Sequence, residues 1–102
     1  MNTKKILAAA FVLLLSSSSA YATLKLVSWE CSDKPTGVIQ NTKSKEYSYV
    51  QVMIPLLKSD GTKVGDAIAN VSGLGGNQKW EFEAFQFNVN FDKCGAPKVT
   101  GF

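Results

Sequence analysis

Glu46-Tyr47-Ser48-Tyr49-Val50-Gln51-Val52-Met53-Ile54-Pro55-Leu56-Leu57 is the stretch from which the fold is read. Val50, Val52, Ile54 and Leu56 recur at every second position, the period of a strand with one buried face. Tyr47, Tyr49, Gln51 and Met53 fall on the opposite side. Pro55 has no N–H to give a ladder, so it belongs at an edge, a bulge or the strand's end. Ser59-Asp60-Gly61-Thr62 follows as a hairpin turn, because Gly61 supplies the positive φ such turns need. A return strand then runs from Lys63 to about Ile68. One β-hairpin is the centre of the reading.

The same period continues on both sides of it. Leu24 and Leu26 alternate with Lys25; the phase then slips, putting Val27, Trp29 and Cys31 on one face and Ser28 and Glu30 on the other. Asp33-Lys34-Pro35 has the composition of a turn. Gly37-Val38-Ile39-Gln40-Asn41 reads as a short strand closed by the polar tract Thr42–Lys45. Downstream, Ser72–Asn77 reads as a flexible Gly-rich loop, and Trp80, Phe82 and Ala84 alternate with Glu81 and Glu83. From Phe85 the phase flips, with Phe85, Phe87, Val89 and Phe91 alternating with polar residues. A flip within a continuous run implies a bulge or tight corner near Ala84–Phe85. The run Phe85–Phe91 would aggregate if exposed and is expected at the centre of a sheet. Cys94-Gly95-Ala96-Pro97 ends it, and Lys98–Phe102 is a last short strand. No 3.6-residue period persists for three turns after Ala22. The pattern predicts an all-β chain, a small antiparallel β-sandwich of six to seven strands. A small OB-like barrel is the competing architecture.

The first 22 residues follow a different logic. Lys4 and Lys5 precede an unbroken apolar run, Ile6–Leu15, then Ser16–Ser19 and the small-residue exit Ala20-Tyr21-Ala22. This is the order of a secretory signal peptide. Ten apolar residues are too few to cross a bilayer as a helix, which takes about 20. Residues 1–22 are therefore expected to be removed, leaving 80 residues, 23–102, as a single domain with no stable membrane span, periplasmic or secreted.

Composition narrows the chemistry. Once Lys4 and Lys5 leave with the leader, nine Lys face eight acidic residues, a net charge of +1. With no Arg in the chain, bidentate recognition of phosphate or guanine has no candidate, and nucleic acid is not an expected partner. There is also no His, which removes the commonest general base and the Ser-His and Cys-His triads. Cys31 and Cys94 are the two cysteines, and in an oxidising compartment they are expected to form one disulfide. Closing a loop of about 60 residues stabilises a fold by ~4 kcal/mol on the chain-entropy model.

Several segments together resemble a known family. Gly37-Val38-Ile39-Gln40-Asn41 is similar to the G-x-[IV]-x-N strand of FxLYD-type domains. Tyr49-Val50-Gln51-Val52, Ile54-Pro55-Leu56-Leu57-Lys58, Asp60-Gly61, Val64-Gly65 and Trp80-Glu81-Phe82 follow in that family's order, covering about Leu24 to Phe102. In the naming segment Ile54 stands for the Phe, Leu57 for the Tyr and Lys58 for the Asp. The resemblance implies an immunoglobulin-like sandwich of exported bacterial proteins. It implies no catalytic residue. It also makes the sequon Asn70-Val71-Ser72 irrelevant to glycosylation.

Few residues invite a chemical role. Glu81 and Glu83 share a strand face about 7 Å apart, but acid–base cleavage of glycosides also needs a cleft and one raised pKa. Ser72–Asn77 lacks the Lys-[Ser/Thr] ending of a phosphate loop. Asp60 and Asp66 flank a turn without the spacing of a calcium loop. No cofactor or metal is expected. Tyr47, Tyr49 and Met53 form the candidate partner-binding face, since Tyr and Met are enriched at interfaces; an unpaired sheet edge is a second contact surface. The expected function is that of an exported, non-enzymatic module, protein-binding or structural, with an unidentified protein partner. The alternatives are a small secreted effector or inhibitor acting through an exposed loop such as Ser72–Asn77, and a carboxylate-dependent hydrolase.

Overall fold

A computed structural model describes residues 23–102; the expected leader lies outside the described residues. Seven strands follow in order: β1 (Leu24–Glu30), β2 (Thr36–Asn41), β3 (Tyr47–Leu57), β4 (Lys63–Leu74), β5 (Lys79–Glu83), β6 (Lys93–Cys94) and β7 (Lys98–Gly101). They form two antiparallel sheets. One is three-stranded, ordered β1-β2-β5; the other has β4 beside β3, with β6 and β7 sharing the far edge of β3. The all-β sandwich and the count of strands agree with the period-two reading.

The core lies where the alternation places it. Val50, Val52, Ile54 and Leu56 of β3 are fully buried, and Leu24, Leu26, Trp29, Ile39 and Phe82 meet them from the other sheet. The slip in β1 is a bulge: Leu26 pairs with Ile39 and Ser28 with Val38, leaving Val27 unpaired and exposed. The hairpin turn has Gly61 at φ 94° and closes with Lys58 N–H donating to the Thr62 carbonyl at 2.8 Å. Pro55 is tolerated in a central strand because of what lies beside it. Its carbonyl accepts from Gly95 N–H at 2.8 Å, and Gly95–Pro97 interrupt the ladder between β6 and β7 along that edge.

Three expectations need correcting. The return strand does not stop near Ile68 but runs to Leu74, so Ser72-Gly73-Leu74 belong to β4 rather than to a flexible loop. What remains is a pinned turn. Gln78 N–H donates to the Gly75 carbonyl, Gly75 N–H to Gln78 Oε1, and Asn77 N–H to the Lys43 carbonyl. The run Phe85–Phe91 is not a central strand. Phe85 alone pairs, through two hydrogen bonds with Ile68 at the edge of β4. From there the chain packs Val89 and Phe91 against the core, leaving Phe85 55% and Phe87 81% exposed. The phase flip at Ala84–Phe85 is a corner where the chain leaves the β2 side, with Ala84 N–H bonded to the Pro35 carbonyl, and reaches the other sheet. Tyr47 is the third: it lies in the core rather than on the outer face of β3.

Cys31 and Cys94 are bonded, with their Cα atoms 6.0 Å apart. The bridge ties the residue after β1 in one sheet to β6 in the other, as the pairing of two cysteines predicted.

Asn41 is the one fully buried polar side chain among the described residues. Its Nδ2 donates to the carbonyls of Lys45 (2.8 Å), Leu74 (3.1 Å) and Gly75 (3.0 Å), and its Oδ1 accepts from Lys43 N–H at 3.0 Å. One amide thus supplies the backbone partners of two loops that have no ladder of their own, which is the condition for burying a polar group.

Candidate contact surface

The residues of β3 that point away from the core define one outer face, and the register sets their neighbours. Residues directly opposite each other in an antiparallel pair project to the same side. Gln51 therefore lies between Thr100 and Asn70, and Met53 between Lys98 and Ile68, with Phe85 beyond Ile68. At the β7 end Phe102 pairs with Tyr49 through Phe102 N–H donating to the Tyr49 carbonyl, and the two rings stack at 5.9 Å. Phe87 completes the far end, edge-on to Phe85 at 4.9 Å. Phe102, Phe85 and Phe87 are all exposed, as is Ile68.

Tyr47 does not belong to this face. Ser48 N–H donates to the Phe102 carbonyl, while Phe102 N–H donates to the Tyr49 carbonyl, so two residues of β3 oppose the one residue that follows β7. That is a bulge, and it reverses the phase of the strand. On the other side of β3, Gly73 has φ 81° and Leu74, opposite Tyr47, is buried. Tyr47 consequently turns inward, 6% exposed, with its hydroxyl bonded to Thr23 Oγ1 and the Lys43 ammonium 3.7 Å from its ring centroid. Of the three expected face residues, Tyr49 and Met53 remain together; Tyr47 is core.

The outer face of the three-stranded sheet has a different character. Lys25, Glu30, Lys79, Glu81 and Glu83 project from it, all exposed. A shallow groove of about 310 Å³ lies there, lined by Ser28, Glu30, Thr36, Val38 and Glu81. Glu83 does not reach it, so the two carboxylates do not converge on one cavity. The two turn aspartates are engaged separately: Asp60 accepts from Thr62 N–H at 2.9 Å, and Asp66 pairs with Lys63 at 3.1 Å.

The sheet edges are each obstructed by a different device. β1 carries the Val27 bulge, and β5 presents alternating Lys79, Glu81 and Glu83. β4 is capped at Ile68 by Phe85, and β6 and β7 are short and separated by Pro97. Bulges, charges, covering segments and short strands are the features that prevent an edge from recruiting another strand. Of the two contact surfaces the sequence suggested, the face is open and the edges are blunted.

No helix among the described residues is long and apolar enough to cross a membrane. Comparison with protein-family models, with curated proteins and with solved structures finds no match to this chain.

Proposed function

We propose that the chain is an exported, non-enzymatic β-sandwich module that binds another protein through the outer face of β7, β3 and β4. The observation that carries this reading is the contrast between the two outer faces. One is charged, as a solvated sheet should be; the other presents Tyr49, Met53, Ile68, Phe85 and Phe102. Two apolar clusters, Tyr49 with Phe102 and Met53 with Ile68, Phe85 and Phe87, thus share one face on either side of Gln51, and exposed apolar clusters of this kind mark interaction sites on soluble proteins. The leader-like first 22 residues and the inter-sheet disulfide support a periplasmic or extracellular setting, where such bonds persist. The resemblance of Gly37–Asn41 to FxLYD-type domains agrees with a packing role for that strand, in which Asn41 is the buried amide.

The test is the size of the protein in envelope or culture extract, chemically crosslinked in its own compartment before extraction. Ile68→Glu is expected to shift it from a larger complex to its free size, whereas Lys25→Glu on the opposite face leaves the complex unchanged. Migration at the free size for the unmodified chain, or an equal effect of both substitutions, would contradict the proposal.

A further inference from the structure

The outer face of β7-β3-β4 is organised in rows, and the order of the rows is informative. The first row holds Phe102 and Tyr49 beside Ser72; the third holds Lys98, Met53 and Ile68. Between them runs a row of two amides and a hydroxyl, Thr100, Gln51 and Asn70. Successive rows are two residues apart, about 6.8 Å along the strands, and neighbouring strands are about 4.8 Å apart. The polar row is therefore flanked by two mixed rows, each with two apolar side chains and one polar one.

We infer that this face pairs with the same face of a second copy of the chain, about a two-fold axis lying along the Thr100–Gln51–Asn70 row. This deepens the proposal above and rests on it. Such an axis leaves the middle row facing itself and exchanges the outer two. Asn and Gln carry both donors and acceptors, so Gln51 and Asn70 satisfy their own copies across the axis. Tyr49 comes over the second copy's Met53, a favourable ring–thioether contact. Lys98 comes over the second copy's Phe102 and supplies a cation to an exposed ring. Lys98 has no ion-pair partner among the described residues, and Phe102 is 67% exposed. Two of the three exchanged pairs are thus complementary, while on β4 Ile68 comes over the second copy's Ser72; the same patch serves both copies, as in an isologous interface. The strands of the two copies run antiparallel across it, within the range in which sheets stack face to face.

The footprint sets the strength. Three strands by three rows is a projected patch of roughly 300 Å² per copy, less than a stable interface buries, so the pairing is a weak and reversible one.

The experiment uses the exported, disulfide-bonded protein. Sedimentation from about 1 μM to 1 mM is expected to show a concentration-dependent dimer. Lys98→Glu and Phe102→Ala should each weaken it about fivefold to tenfold. Gln51→Cys, on the axis, should couple to itself through a short bismaleimide, as should Thr100→Cys, while Lys25→Cys on the other face should not. A monomer at every concentration, or coupling through Lys25→Cys instead of Gln51→Cys, overturns the inference. If the purified protein is monomeric and Ile68→Glu still dissociates the complex in extract, the face has a different occupant and only the self-pairing fails.

Discussion

The ring of Tyr47 lies over Gly101 so closely that a methyl group on Gly101 would come within 2.8 Å of Tyr47 Cδ1 and 2.7 Å of Leu24 Cδ1. Two residues further on, Tyr49 stacks on Phe102 outside the sheet. These two tyrosines of one strand are therefore expected to differ sharply in what they contribute. Tyr47→Ala removes a core ring and should destabilise by about 3–5 kcal/mol, and Gly101→Ala should cost about 1–3 kcal/mol by overpacking. Tyr49→Ala should cost less than about 1 kcal/mol. Urea unfolding of the three variants separates them; equal losses for Tyr47→Ala and Tyr49→Ala would show that the phase reversal at Ser48–Tyr49 is not there.

That reversal also marks where the sequence stops being legible. Strand period, turn chemistry and cysteine pairing are local or compositional signals, and they located the core of β3, the Ser59–Thr62 hairpin and Cys31–Cys94. The bulge that turns Tyr47 inward depends on Phe102, 55 positions away, accepting from Ser48 and donating to Tyr49. Nothing in the alternation of Tyr47, Tyr49, Gln51 and Met53 reports it. The Phe85–Phe91 run failed for a related reason. Period two describes side-chain placement, and an irregular crossing segment can satisfy it by sending Val89 and Phe91 inward and Phe85 and Phe87 outward without a ladder. Of the candidate face, Tyr49 and Met53 were readable. Ile68, Phe85, Phe102 and Lys98 join them only through registers between strands distant in sequence.

Asn41 should be among the most sensitive polar positions in the domain. Asn41→Ala leaves the carbonyls of Lys45, Leu74 and Gly75 and the N–H of Lys43 without the amide that bonds them. At about 1 kcal/mol per lost bond, and more where a group stays buried, the loss is expected to be about 3–4 kcal/mol. For a domain of this size that lowers Tm by more than about 10 °C, which calorimetry would detect. Amide exchange should accelerate in Thr42–Lys45 and Gly75–Gln78 before it does in β3.

Reduction of Cys31–Cys94 is expected to remove about 4 kcal/mol on the chain-entropy model. Because the bond joins the residue after β1 to β6, opening it frees the ends of both sheets from each other. Chemical denaturation with and without reductant measures the difference; coincident curves would contradict a stabilising role.

Asp60 should titrate below its ordinary value of 3.8. The Thr62 backbone N–H hydrogen-bonds its carboxylate, and the Thr62 hydroxyl adds to this. A carboxyl whose folded pKa is lowered adds stability above its unfolded pKa and loses it as the pH falls through the folded value. Asp60→Asn should therefore flatten the stability profile below about pH 4 and leave the neutral-pH profile parallel to that of the unmodified chain. Carbon-detected NMR titration reads the group directly.

The most direct test of the contact face is a photo-reactive residue placed in turn on each outer sheet of the protein in its own compartment. Position Met53 or Ile68, on β3 and β4, is expected to yield a discrete protein adduct on illumination, and position Lys25 or Gln40, on β1 and β2, none. Adducts from Lys25 and Gln40 with none from Met53 and Ile68 would contradict the account.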